Sequence, residues 1–363
     1  MKIALLVNVL SKNEKYDPSS YVYETIENVA QAIKKKGHIV YIVNASDSVI
    51  YQITQLKIFH PELIINLAER LKNSDSSQAF FPELCKHLQI PIISPDTYSL
   101  ETSLYKNLAR NEISNSGILI PKGKYISDLK NIKSVISFFN KNDFPLIIKP
   151  NARNDSEGIS YSSIALDTSD LKKKIKSFLN TYKDGILIEQ YIEGVDVLVG
   201  YIEGLGYEGV IEPLQMVIKS DKNQPYNIFG YEYKNYASER YIRNAITYIF
   251  LKDKILRKKI IEKAKICFNS LKIQFFSRID FRITKKGQIY FLENNASPTM
   301  AWGTQLFYVA YKKYHMNYPD VFDHLIKIAC IKYGITYYKS NIFLKKIANK
   351  LCSSILKIKL GYY

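Results

Sequence analysis

The first hundred residues alternate short apolar runs with longer amphipathic stretches. Lys2 to Leu10 (KIALLVNVL) is almost continuously apolar, which predicts a strand buried on both faces. Tyr21 to Lys36 repeats apolar positions at helical spacing and stops at Gly37, predicting an amphipathic helix. The runs His38 to Val43, Leu63 to Leu67 and Ile90 to Ile93 predict three further strands. Strands alternating with helices imply a doubly wound parallel sheet, and such sheets bind ligands beyond the carboxyl ends of their strands. The NLAER segment (Asn66 to Arg70) leaves the third strand at such an edge.

From Pro95 the texture changes. Asp96 to Gly117 reads as one long helix, after which strands and helices mix through Tyr182. Antiparallel-looking strands follow at Gly185 to Tyr191, Val195 to Ile202 and Tyr207 to Ile218. A helix from Lys252 to Leu271 then precedes two strands, Ser277 to Ile283 and Gln288 to Glu293. The expected class is α/β with three lobes: a parallel one over 1–97, a small mixed one over 98–189 and a larger antiparallel one over 190–334. Residues 335–363 lie beyond them. There, Ile342, Ile347, Leu351, Ile355 and Ile358 fall near one face of a basic helix, suited to packing on its own domain, to a dimer interface, or to a membrane surface.

Composition narrows the classes without choosing among enzymes. Apolar residues at 47% and charged residues at 23% describe an ordinary globular chain. No apolar run reaches the ~18–20 residues that span a bilayer, and the opening MKIALLVNVL suits a strand better than a signal peptide. Cys85, Cys267, Cys330 and Cys352 are far apart with no C-x-x-C pair, which argues against a zinc site or disulfide framework and fits a cytoplasmic protein. Lys and Arg exceed Asp and Glu by 51 to 34, a net charge of +17. With no zinc-finger spacing, aromatic RNA motif or basic arm, that charge fits anionic small molecules better than nucleic acid, a membrane or an acidic partner.

Five segments carry groups able to do chemistry. FPLIIKP (Phe144 to Pro150) is a strand ending in a lysine, and NARNDSEGIS (Asn151 to Ser160) is a polar loop of the kind whose N–H groups wrap phosphate. ILIEQYIEGVDV (Ile186 to Val197) is an apolar strand punctuated by carboxylates. SRIDFRI (Ser277 to Ile283) alternates Arg278, Asp280 and Arg282 onto one strand face. FLENNASP (Phe291 to Pro298) puts Glu293 and Asn295 on one side of a strand. Taken singly, such pieces are usually solvated strand faces and turns. Together, Asp280, Glu293 and Asn295 supply hard oxygens of the sort Mg²⁺ takes alongside ATP phosphates, with a strand-face arginine for a transferring phosphoryl group or an oxyanion.

In this order the segments resemble the ATP-grasp superfamily, and within it the D-alanine–D-alanine ligase-like carboxylate–amine ligases. The resemblance runs from Leu63 to Lys332 and is strongest between Lys106 and Met300. It implies a three-domain ATP-grasp fold with ATP gripped between the two C-terminal lobes. The implied reaction phosphorylates a carboxylate to an acyl phosphate, which an amine then attacks to give an amide, ADP and phosphate. Position by position, it implies that Lys106 contacts the ATP phosphates and that Lys149 reaches adenine and the α-phosphate. Ser156 and Gly158 would cover the phosphates, Glu189 would meet the adenine amino group, and the backbone of Gln190 and Ile192 would form hinge hydrogen bonds. Asp196 stands where the family has a ribose-binding glutamate, and Lys234 (in YEYKNY) matches the mobile-loop lysine that closes over the γ-phosphate. Arg278 matches the arginine that stabilises the acyl phosphate and tetrahedral intermediate. Asp280, Glu293 and Asn295 match the ligands of two Mg²⁺ ions, or Mn²⁺ in their place.

Departures from the D-alanine–D-alanine ligase pattern cluster on the substrate side. The early G-G-x-S-x-E is replaced by VNVLSKNEKYDPSS, leaving Glu14 as its nearest stand-in, and the H-G-x-x-G-E-D-G loop by NLAERLKNSDSS, where Glu69 is a partial echo. The loop serine and mobile-loop tyrosine that bond the early glutamate correspond to Asp155 and Asn235, and the glycine after S-P is Thr299. The expectation is therefore an amino-acid or small-peptide ligase whose product is not D-Ala-D-Ala. Alternatives are a ligase acting on a peptide or protein terminus, an inactive nucleotide-binding scaffold, and a nucleic-acid-binding protein.

Overall fold

The computed structural model describes residues 1–9, 23–71, 79–153, 156–218, 226, 228 and 246–337. Glu14, Asp155, Lys234, Asn235, Cys352 and the 342–360 helix lie outside these residues.

Strands β1 (Lys2–Val7), β2 (Ile39–Asn44), β3 (Leu63–Asn66) and β4 (Ile92–Ile93) form a parallel sheet in the order β2-β1-β3-β4. Helices α1 (Tyr23–Lys35), α2 (Val49–Phe59) and α3 (Phe80–His87) connect them. The continuous apolar character of β1 has a direct cause in its two neighbours. Ile3, Leu5 and Val7 pack with Ile26, Val29 and Ile33 of α1, while Ala4 and Leu6 pack on the other side with Leu56 and Phe81.

The expected single helix after Pro95 is two, α4 (Thr97–Leu104) and α5 (Lys106–Asn115), broken at Tyr105 with φ −91° and ψ 99°. Neither glycine nor proline breaks it. Asn151 does, because its carbonyl accepts the Lys106 N–H and its side-chain Oδ1 accepts the Asn107 N–H, capping the new helix start from a distant strand end.

The middle sheet contains β5 (Gly123–Ile126), β6 (Leu146–Pro150), β7 (Ile164–Ala165) and β8 (Ile186–Gln190), ordered β5-β8-β6-β7 and antiparallel. Helices α6 (Ile132–Phe138) and α7 (Thr168–Thr181) cover the face carrying Leu146, Ile148, Ile186 and Ile188. The other face carries Ile147, Lys149, Leu187 and Glu189.

The third sheet is antiparallel in the order β11-β10-β9-β12-β13, from β9 (Val195–Ile202), β10 (Leu214–Ile218), β11 (Ile246–Phe250), β12 (Phe276–Ile283) and β13 (Ile289–Asn295). Tyr207 to Ile218 is not one strand. Tyr207 and Val210 bond each other across a tight turn entered through Gly206 and Gly209, both at positive φ, and β10 starts only at Leu214. Helix α8 (Lys254–Ser270) packs Ile260, Ala264, Cys267 and Phe268 against Val197, Val199, Ile279 and Phe281. Helices α9 (Gln305–Tyr314) and α10 (Tyr318–Tyr333) join the cluster that includes β1 and α1. Cys85, Cys267 and Cys330 are free and buried. Among the described residues, no helix is long and apolar enough to cross a membrane.

Candidate active site

Packing on α8 decides which side of β12 is available. Because Ile279, Phe281 and Ile283 face that core, Arg278, Asp280 and Arg282 point to the opposite side. Strand β13 brings Glu293 beside Asp280 and Asn295 beside Arg278. An unbroken strand would put Phe291 on the same side as Glu293. A bulge prevents this: the register shifts between Asp280 and Phe281, pairing Phe281 with Phe291 and leaving Leu292 extra. Phe291 thereby enters the core while Glu293 keeps its place on the polar face.

Arg278 grips Asp280 with two prongs, Nε to Oδ1 at 2.7 Å and Nη2 to Oδ2 at 3.1 Å. Burial pushes the Asp280 carboxyl up to about 6; Arg278 opposes that rise and Glu293 adds to it. On the Arg278 side, burial works against the charge but the Asp280 carboxylate more than offsets it, so the guanidinium stays protonated. Tyr248 of β11 belongs to the same surroundings: burial raises its phenol, Arg278 lowers it and Asp280 raises it.

A second cluster lies on the face of the middle sheet turned away from α6 and α7. Glu189, only 2% exposed, takes Lys149 Nζ on Oε2 at 2.8 Å and Arg110 Nη1 on Oε1 at 2.5 Å. Lys106, the first residue of α5, reaches the Arg153 carbonyl with Nζ at 2.5 Å. In the adjoining loop both Ser156 and Gly158 have positive φ, at 60° and 71°. A Cβ at Gly158 would lie 2.4 Å from Tyr182 Oη and 2.7 Å from Pro150 Cγ, so only glycine fits there. The Gln190 N–H donates to the Lys122 carbonyl, and the Ile192 carbonyl accepts from Arg282 at 3.1 Å.

Asp196 connects the clusters. It is buried beneath Arg282, whose Nε meets Oδ1 at 2.7 Å, and it feels the charges of both Lys149 and Glu293. Burial raises its pKa, with Arg282 opposing that rise. The structure thus gathers Lys106, Lys149, Glu189 and the 156–158 turn on one side, and Arg278, Asp280, Glu293 and Asn295 on the other. Lys234 is not among the described residues.

Sequence pattern missed Arg110 and Tyr248 altogether. Arg282 was visible as part of the alternating R-I-D-F-R run, but its partner Asp196 lies 86 residues away. As for a metal, no group of three or more His, Cys, Asp and Glu able to hold an ion occurs among the described residues. Two adjacent carboxylates and an amide nevertheless fit Mg²⁺, which uses one or two carboxylates and takes its remaining oxygens from phosphate and water.

Polar groups also collect at the carboxyl end of the parallel sheet. Asn8 accepts the N–H groups of Glu69 and Arg70 on Oδ1 and donates through Nδ2 to the Arg70 carbonyl and Ser46. The NLAER segment is thereby fixed to the end of β1.

The family model described as D-ala D-ala ligase C-terminus matches residues 119–327. A D-alanine–D-alanine ligase from Aquifex aeolicus is 28% identical over 278 residues, covering 76% of this chain and 85% of the relative. One from Fervidobacterium nodosum is 26% identical over 315 residues, covering 84% and 93%. Among solved structures, the ATP complex of D-alanine–D-alanine ligase from Bacillus anthracis matches with TM-score 0.69 at 15% identity, over 92% of this chain and 99% of that one. A D-Ala:D-Ser ligase from Enterococcus faecalis matches with TM-score 0.65 at 18% identity, over 90% and 99%. At such identities these two structures speak for the fold alone. The family match spans more than half of the chain, so the protein belongs to the D-alanine–D-alanine ligase family of ATP-grasp enzymes and is an ATP-dependent ligase that forms C–N bonds.

Proposed function

We propose that this enzyme joins the carboxyl group of one amino acid or small peptide to the amine of another through an acyl phosphate, and that the pair is not two D-alanines. The observation that carries the chemistry is the polar face of β12 and β13, where Arg278, Asp280, Glu293 and Asn295 stand together. Asp280, Glu293 and Asn295 would hold Mg²⁺, which neutralises charge on the phosphates. Lys106 and Lys149 bind phosphate oxygens, the turn through Ser156 and Gly158 covers them, and Lys234 closes over the γ-phosphate. Glu189 accepts from the adenine amino group, the backbone of Gln190 and Ile192 bonds the ring edge, and Asp196 lies at the ribose.

The substrate carboxylate attacks the γ-phosphorus and ADP leaves. Arg278 releases its hold on Asp280 to bind the transferred phosphoryl oxygens. When the amine attacks the acyl carbon, the same guanidinium takes the oxyanion until phosphate departs. Support for a substrate pair other than two D-alanines comes from the carboxyl end of the parallel sheet. There Asn8 anchors Glu69 and Arg70 in place of a glycine-rich loop. A second reading, synthesis of D-Ala-D-Ala itself, is favoured by the names of the two relatives. An ADP-release screen over all pairs of L- and D-amino acids, with product masses measured, separates the two. A dominant product other than D-Ala-D-Ala supports the first reading. Efficient turnover of D-alanine alone rejects it.

A further inference from the structure

Helix α5 carries Lys106 at its start and Arg110 one turn later, so the two side chains leave the same helix face. Arg110 is largely buried, with 13% of its side chain exposed. Nη1 donates to Glu189 Oε1 and Nη2 donates to the Pro121 carbonyl. Lys149 holds Oε2 from the opposite side. Each oxygen of a buried carboxylate therefore has its own cation, supplied by a different element. Gly123 stands across from Glu189 in the β5–β8 register. A Cβ there would lie 3.0 Å from Glu189 Cγ, 3.1 Å from Arg110 Cζ and 2.8 Å from the Ile188 carbonyl oxygen. Glycine leaves the space that the pair occupies.

We propose that Arg110, seated by Gly123, is a positioning residue that fixes Glu189 as an acceptor-only carboxylate and so selects a nucleotide base presenting an amino group over one presenting a carbonyl. The inference rests on reading Glu189 as the contact to the base. A carboxylate oxygen has two lone pairs, and an ion-paired carboxylate has no proton to donate. Spending one lone pair on each cation leaves one for a base N–H, whereas a carbonyl at that place meets acceptor with acceptor. Two tethers also fix the plane of the carboxylate. With Lys149 alone, the group turns about a single contact.

Equilibrium titration of the purified full chain with MgATP and with MgGTP tests this without any amino-acid substrate. Wild type should bind ATP more tightly than GTP. Arg110→Met should weaken ATP binding by about tenfold or more and shrink the ATP/GTP ratio by about the same factor. Arg110→Lys, which keeps a cation on Glu189, should restore most of that ratio. Gly123→Ala, which crowds the pair without removing charge, should shift the ratio in the same direction as Arg110→Met. If circular dichroism shows that Arg110→Met does not fold, Arg110→Gln takes its place. A wild type indifferent to the base overturns the inference. So does an ATP/GTP ratio within about twofold of wild type in the neutral variant, or an equal loss in the neutral and lysine variants. Failure of the wild type to ligate any substrate pair would reject the proposed reaction while leaving this binding comparison intact.

Discussion

Arg282→Met isolates the cost of a buried charge left alone. Arg282 and Asp196 are each about nine-tenths covered, with 9% of either side chain exposed, and Nε meets Oδ1 at 2.7 Å. An exposed pair contributes ~0–1 kcal/mol, but removing one partner of a buried pair typically costs about 3–5 kcal/mol. The loss falls on the third sheet, since Asp196 lies in β9 and Arg282 in β12, paired directly in register. Trp302, the only tryptophan in the chain, has its ring centre 5.5 Å from that of Tyr318, and its fluorescence reports unfolding of the chain. With a slope of ~1–3 kcal/mol per molar urea, the midpoint should fall by about 1–5 M. The pH dependence has a definite sign. Burial already raises the Asp196 pKa against the pull of Arg282, so losing Arg282 raises it further. A carboxyl with a raised folded pKa favours the native state at low pH and loses that benefit as pH rises through the folded value. The defect should therefore be greatest near neutral pH and shrink toward pH ~4, the ordinary carboxylate range. Removing both charges, as Asp196→Leu with Arg282→Met, should recover most of the loss. A midpoint change below about 0.5 M that ignores pH would refute the reasoning.

Three other outcomes follow from the geometry. Arg278→Lys cannot reproduce the two-pronged contact and should lower kcat by ~10²–10³ with ATP affinity little changed, whereas a loss of tenfold or less would leave Arg278 a structural partner of Asp280. Glu293→Gln should fold with an unchanged circular dichroism spectrum yet lose nearly all ligation with Mg²⁺; near-wild-type product formation would remove Glu293 from the site. Burial pushes the thiols of Cys85 and Cys267 up to about 12, so iodoacetamide at pH 8 should leave both unlabelled in the native protein, as read by peptide mass, and labelling without prior unfolding would contradict the packing.

Much of the fold was legible where a single period runs undisturbed. The unbroken apolar run of β1, the helical spacing of α1 and the alternation of Arg278, Asp280 and Arg282 each follow from one local rule. What escaped the sequence depends on partners far along the chain. Tyr105 breaks a continuous helical pattern because Asn151 caps the next turn. Nothing in KNLARNEISN says that Arg110 will meet Glu189, 79 residues later. The bulge at Leu292 is hidden for a different reason. FLENN reads equally well as plain alternation, and only the pairing of Phe281 with Phe291 shows the extra residue. On the substrate side, the departures at Glu14, Asp155 and Asn235 fall outside the described residues, whereas Glu69 is held in place by Asn8.

The central claim, that a carboxylate is activated as an acyl phosphate before an amine takes it, is tested most directly by oxygen transfer. The carboxyl substrate of the productive pair is labelled with ¹⁸O in both oxygens and turned over with ATP and Mg²⁺, and the released phosphate is analysed by mass. Attack by that carboxylate on the γ-phosphorus, followed by expulsion of phosphate, carries one substrate oxygen into each phosphate released, and the amide keeps the other. Phosphate free of label alongside an amide product would contradict the account.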